Sequence, residues 1–166
     1  MNPSSIVLNK AQIRQKTERI AFEILENTFE EKKVYVAGIE GNGYLFAERL
    51  VEQLAQHSDQ EIRLFKIMVD KDAPLNKEVT FSIPESELKS ATVVLVDDVI
   101  NSGRTMIYAV KKLLENPLKL LKVATLVNRT HRRFPVQADF VGVNISTTLK
   151  DNIIVELDKE EVAYIE

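Results

Sequence analysis

Apolar residues recur along this chain in two periods, and the switches between them lay out alternating helices and strands. Asn9 can cap a helix, and Ile13, Ile20 and Ile24 with Ala21, Phe22 and Leu25 follow it as a stripe at helical spacing. Residues 34–39 are a short apolar run of strand length, closed by the turn Glu40-Gly41-Asn42-Gly43, after which Tyr44, Leu45, Phe46, Leu50, Val51 and Leu54 return to the helical period. Residues 61–70 read as a strand through Ile62, Leu64, Ile67 and Val69, and residues 78–84 can pair with them across the polar link 71–77. Residues 91–96, rich in β-branched side chains, fit a strand buried on both faces. Asp97 and Asp98 end that run, and a polar turn leads into a helix over residues 106–114. Asn116-Pro117 stops the helix, and residues 120–127 form another buried-strand run. Residues 140–145, 153–157 and 162–165 read as further strands, the end of the chain being antiparallel or at an edge. The alternation before Val127 predicts an α/β fold, a mostly parallel sheet flanked by helices.

Candidate chemistry concentrates in the strand–turn–helix unit 91–114. A helix N-terminus leaves free N–H groups and partial positive charge, so Asn101, Ser102, Gly103, Arg104 and Thr105 can wrap a phosphate with backbone donors. Gly103 permits close approach, and Ser102 and Thr105 add hydroxyls. Arg104 either lies on the ligand or points to solvent. Neighbouring strand residues face opposite sides, so Asp97 and Asp98 take different parts unless the chain is already turning. Carboxylates beside a phosphate cradle suit the vicinal hydroxyls of a ribose and can attract a magnesium-bound partner. Ribose 5-phosphate satisfies both halves. The bland alternative is a helix-capping turn, since Asp and Ser are common there for that reason alone.

The loop 40–43 is a second glycine-containing turn between a strand and a helix, a place where anions bind, but Phe46 stands where the dinucleotide fingerprint needs a small residue. Residues 128–135 hold three arginines and His131 at the expected carboxyl end of a strand. His131, Arg132 and Arg133 are either a solvated surface turn or substrate contacts. His57 reads as an exposed helix-end residue.

The 166 residues fit one domain with a real core. No uncharged apolar segment has membrane-spanning length, residues 1–10 lack the pattern of a signal peptide, and a chain without cysteine has no disulfide framework or thiolate metal site. A cytoplasmic protein is the expectation. A net charge of -3 with a pI near 5.6 argues against a surface built as a whole for nucleic acid.

The run 91–105, a hydrophobic strand, two acidic residues, Val99-Ile100, then Asn101-Ser102-Gly103-Arg104-Thr105, resembles the phosphoribosyl pyrophosphate signature of the type I phosphoribosyltransferases. The resemblance implies that Asp97 and Asp98 hold the ribose hydroxyls and favour a cationic ring, that residues 101–105 anchor the 5-phosphate, and that Glu40, Gly41, Asn42 and Gly43 meet the pyrophosphate. It makes 71–77 a lid, with Lys71, Asp72 or Lys77 closing above the pyrophosphate, and it implies Mg2+ carried on that pyrophosphate, with Asp97 or Asp98 as its protein contact. Residues 127–148, with looser matches over 13–21 and 38–50, are similar to the PyrR family of pyrimidine-operon attenuation proteins, which are also uracil phosphoribosyltransferases. That likeness implies uracil as the base, Arg129 and the residues around Val143 beside it, and a homodimer or higher oligomer. Glu40 and Asn42 depart from the Lys, Thr and Arg of relatives, which removes a cation beside the pyrophosphate. Gln137 and Val143 replace basic residues and Phe22 replaces a histidine on the surface that would bind RNA, so the departures weigh against that partner. The alternative function is a nucleotide-sensing regulator of pyrimidine metabolism with little or no turnover.

Overall fold

The computed structural model describes residues 5–166; residues 1–4 of the stretch read above for a leader lie outside them. Helix α1 (Lys10–Thr28) starts at a reciprocal cap, in which the Gln12 N–H donates to Asn9 Oδ1 and the Asn9 N–H donates to Gln12 Oε1, both at 2.9 Å. Its stripe of Ile13, Ile20, Ala21 and Ile24 is fully buried, but Phe22 is 42% exposed and leans on the His57 ring. Phe22 therefore belongs to the outer face of the helix rather than to the stripe.

Strands β1 (Ile6–Leu8), β2 (Lys33–Ile39), β3 (Glu61–Met68), β4 (Thr80–Phe81), β5 (Thr92–Ile100), β6 (Leu120–Arg129), β7 (Phe140–Ile145), β8 (Ile153–Glu156) and β9 (Val162–Ile165) form two sheets. The larger runs β4-β3-β2-β5-β6-β7; all its neighbours pair parallel except β4, which pairs antiparallel with β3 through Ile67↔Phe81 and Met68↔Thr80. Helices α2 (Asn42–His57) and α3 (Arg104–Leu113) make the β2-to-β3 and β5-to-β6 crossovers. Alternate residues of β5 feed opposite layers: Val94 and Val96 pack with α1 and α2, while Val93 and Leu95 pack with Met106, Ala109 and Leu113 of α3.

Three expectations change in detail. The carboxylates do not end β5; pairing with β6 continues through Val99↔Val127 and Ile100↔Asn128, so Asp97 and Asp98 are strand residues. For the same reason Asn128 and Arg129 lie inside β6 rather than in the following turn. The chain's last strands are antiparallel, but they leave the main sheet and join β1 in a second sheet of order β1-β9-β8. Three residues are too few for β1 to show a periodic pattern. Ile153, Val155 and Ala163 of this small sheet, with Leu157 just after β8, share the buried cluster of α1 and α2. Among the described residues no helix is long and apolar enough to cross a membrane.

Candidate active site at the carboxyl ends of the parallel strands

A cleft of about 210 Å³ opens where β5 ends, bounded by Asp97, Asp98, the loop into α3, Asn42, Lys71 and the β8 residues Ile153 to Val155. This is the end of an open α/β sheet at which ligands collect. Between Ile100 and Arg104 the chain turns through Gly103 at φ 86°, ψ -3°, a left-handed conformation that disfavours a side chain. Among the described residues the N–H groups of Ser102, Gly103, Thr105 and Met106 find no protein acceptor, while the Arg104 N–H donates to Ser102 Oγ at 3.3 Å. The loop thus offers several unclaimed donors at a helix N-terminus. Asn101 Oδ1 is also buried without a protein partner.

The carboxylate couplet is buried, Asp97 at 4% exposure and Asp98 at 8%, and the Asp98 N–H donates to Asp97 Oδ1 at 2.9 Å. Burial first and the neighbouring Asp98 second push the Asp97 carboxyl well above the usual carboxylate range, with Lys71 pulling the other way. Gly43 explains how the pocket closes over Asp97. A Cβ on Gly43 would collide with Asp97 Oδ1 and lie 3.2 Å from its Cα, so only glycine lets the start of α2 settle on the couplet.

Of the loop 40–43, Asn42 alone lines the cleft, and its Nδ2 donates to the Val155 carbonyl at 2.7 Å, tying α2 to β8. Gly41 caps α2 at φ 97°, and a Cβ there would sit 4.0 Å from Lys71 Nζ. The N–H groups of Gly41, Asn42 and Gly43 find no protein acceptor among the described residues. Glu40 lies outside the cleft, in a shallow depression with Asp70, Lys71 and Lys77. Arg104 does not run free into solvent: its Nη2 donates to the carbonyls of Lys71 at 2.8 Å and Asp72 at 3.1 Å, joining the link 71–77 to the loop 101–105. Of that link only Lys71 reaches the cleft.

Arg129 is 8% exposed and does not line the cleft; its Nε donates to Thr147 Oγ1 at 2.5 Å and its Nη2 to the Thr148 carbonyl at 2.7 Å. It anchors the loop that delivers β8 to the cleft. The β8 wall itself escaped sequence reasoning, because an alternating strand shows which face is buried but not which distant loop it will meet.

The profile of the phosphoribosyl transferase domain family matches residues 4–160. The chain belongs to that family. The Bifunctional protein PyrR of Fusobacterium nucleatum is 34% identical to it over 96% of this chain and 97% of the relative. The Enterococcus faecalis protein of the same name is 31% identical over 97% and 94%, and that of Bacillus subtilis 29% over 96% and 93%. Among solved structures, a hypoxanthine-guanine phosphoribosyltransferase from Bacillus anthracis superposes with a TM-score of 0.79 at 18% identity, covering 98% of this chain and 97% of that one. The hypoxanthine phosphoribosyltransferase of Trypanosoma cruzi in complex with its product IMP gives 0.79 at 17% identity over 97% and 92%. At such identities the two structures attest the shared fold.

Proposed function

We propose that the protein transfers the 5-phosphoribosyl group of phosphoribosyl pyrophosphate to a ring nitrogen of uracil, releasing pyrophosphate. The observation that carries this reading is the meeting, in one cleft, of a buried carboxylate couplet and a helix-terminal loop with unclaimed amides, a fit to a ribose bearing a 5-phosphate. As the C1–O bond to pyrophosphate breaks and the C1–N bond to the base forms, positive charge gathers on the ribose ring and the base nitrogen sheds a proton. The loop 101–105 anchors the 5-phosphate, and Val99 and Ile100 carry the strand into it. The buried oxygens of Asp97 and Asp98 accept from the two ribose hydroxyls and favour the cationic ring. Among the residues lining the cleft, Asp97, Asp98 and Lys71 are the groups able to exchange a proton. The Asn42 N–H, with those of Gly41 and Gly43 beside it, and the ammonium of Lys71 meet the pyrophosphate, Lys71 supplying a cation that Glu40 and Asn42 do not.

Magnesium enters this reading on the pyrophosphate. Among the described residues no cluster of three acidic, histidine or cysteine side chains could hold a metal alone, whereas the oxygens of Asp97 and Asp98 fit an ion that keeps waters and phosphate ligands. Bound there, the ion would neutralise charge on the leaving group. The test is to incubate the protein with donor, magnesium and a panel of bases and to measure pyrophosphate release, expected with uracil.

A nucleotide-sensing regulator is the second reading, favoured by the acidic Glu40 outside the cleft and the Asn42 amide already spent on Val155. Absence of release with every base, together with thermal stabilisation by UMP, would favour it. RNA is disfavoured as a partner because Gln137 and Phe22 are exposed where relatives carry a basic residue and a histidine; absence of any shift of a structured RNA at low salt would remove it. The homodimer or larger assembly implied by the family resemblance is tested by light scattering.

A further inference from the structure

The arginine-rich segment after β6 lines no part of the cleft; it stands behind the phosphate loop. The N–H groups of Arg133 and Phe134 both donate to the Ser102 carbonyl at 3.0 Å. A Cβ on Gly103 would come within 2.8 Å of Val136 Cγ1 and 3.0 Å of the Phe134 carbonyl oxygen, so backboard and loop are in direct contact. In a trans peptide the C=O and the following N–H point in opposite directions. Drawing the Ser102 carbonyl backward onto two amides therefore turns the Gly103 N–H forward, into the cleft. Gly103 itself sits in a conformation from which the 102–103 peptide could flip were that carbonyl released.

Arg132 is the side chain that holds the backboard in shape. Its Nη1 donates to the Val136 carbonyl at 3.0 Å, and its Nη2 donates to Asn128 Oδ1, which bridges the two ends of the segment. Asn128 is fixed in turn, donating through Nδ2 to Asn144 Oδ1 at 2.7 Å on β7. His131 and Arg133 on either side are exposed, whereas Arg132 is half-buried and has no carboxylate partner among the described residues. Burial without an acid lowers its pKa, an unfavourable placement for a guanidinium that surface solvation alone would not select.

We propose that Arg132 is a positioning residue: by clamping Asn128 to Val136 it presents the Arg133 and Phe134 amides to Ser102 and so aims the Gly103 N–H at the 5-phosphate. This rests on the phosphate-seat reading above. The test compares UMP with uridine by calorimetry at fixed ionic strength, since the ratio of their dissociation constants isolates what the phosphate contributes. In Arg132→Met, which keeps the apolar stem, UMP affinity falls about tenfold, equivalent to ~1.4 kcal/mol, while uridine affinity holds within about twofold. Arg132→Lys, able to keep one of the two bonds, recovers part of the ratio. In the steady state, KM for phosphoribosyl pyrophosphate rises while KM for uracil stays. An unchanged ratio, or equal loss of both ligands, overturns the inference. Should Arg132→Met not fold, Asn128→Ala removes the other end of the clamp and is read by the same ratio. A parent protein that does not prefer UMP to uridine overturns the phosphate seat itself, which separates the two failures.

Discussion

Replacing Gly43 by alanine separates two roles for the glycine turn before α2. If Gly43 only brings its amide to a pyrophosphate, Gly43→Ala raises KM for the donor and leaves stability alone. The packing says otherwise, because the added methyl would overlap Asp97 Oδ1 and lie 3.2 Å from Cα and 3.3 Å from Cγ of the same residue. Backbone on one side and a carboxyl buried at 4% exposure on the other leave no flexible end to yield, so either the start of α2 or the Asp97 side chain must move. Overpacking of this kind costs ~1–3 kcal/mol. For a chain of this length that is a loss of roughly 2–12 °C in Tm. Relief by retreat of α2 would strain the Asn42 bond to Val155, and a shift near 1 Å at the couplet is expected to lower kcat by about 10²-fold. Thermal unfolding and pyrophosphate release, measured on the same preparation, read both effects. A variant with unchanged Tm and kcat but raised donor KM would refute the close approach of Gly43 to Asp97.

Asp97→Asn is predicted to abolish transfer yet stabilise the fold at neutral pH. Because burial and Asp98 raise the folded-state pKa of Asp97 above its unfolded value, its favourable contribution is complete below the unfolded value of 3.8 and is lost as pH rises through the folded one. The Tm gain of the variant over the parent therefore grows from acid to neutral pH, and a gain independent of pH would sink this account. Lys71→Met should raise KM for phosphoribosyl pyrophosphate by about tenfold or more, as expected for a lost charged contact, with KM for the base unchanged; equal effects on both would contradict its place at the leaving group. Arg129→Met should loosen the loop 146–152 and lower Tm, because its bonds to Thr147 and Thr148 set where β8 enters the cleft; an unchanged Tm would exclude that.

The main sheet and its helices were legible because their side chains alternate or recur against two buried layers, and local periodicity reports burial directly. The couplet and the loop 101–105 were legible as well, since strand, carboxylates, glycine and helix stand next to one another in the chain. What local pattern could not show was how β8 and Arg129, from later segments, complete the cleft. Ile153 to Val155 wall the cleft from a different sheet, and Arg129 acts through a loop near residue 147. The glycine at 43 carried a visible loop signal, but its neighbour Asp97 is 54 positions away and unmarked in either local pattern.

The link 71–77 gains a physical account from the same geometry. Its base is held at both sides, by the Arg104 bonds to the carbonyls of Lys71 and Asp72 and by Asp70 Oδ1, which accepts from the N–H groups of Asp72 and Ala73 at 3.1 Å. Its tip is not held in the same way: Leu75 is 77% exposed. The cation that meets the cleft, Lys71, is on the anchored base, so the link 71–77 delivers positive charge there without its tip. Arg104 thereby does at a distance what the family pattern would assign to a cation in the loop 40–43. It spends its own charge on two lid carbonyls and fixes the backbone of Lys71 beside the couplet, where Lys71 already opposes the rise of the Asp97 pKa. Loss of the Arg104 bonds should therefore weaken donor binding through Lys71 rather than through the phosphate loop, and Arg104→Met combined with Lys71→Met should cost little more than Lys71→Met alone.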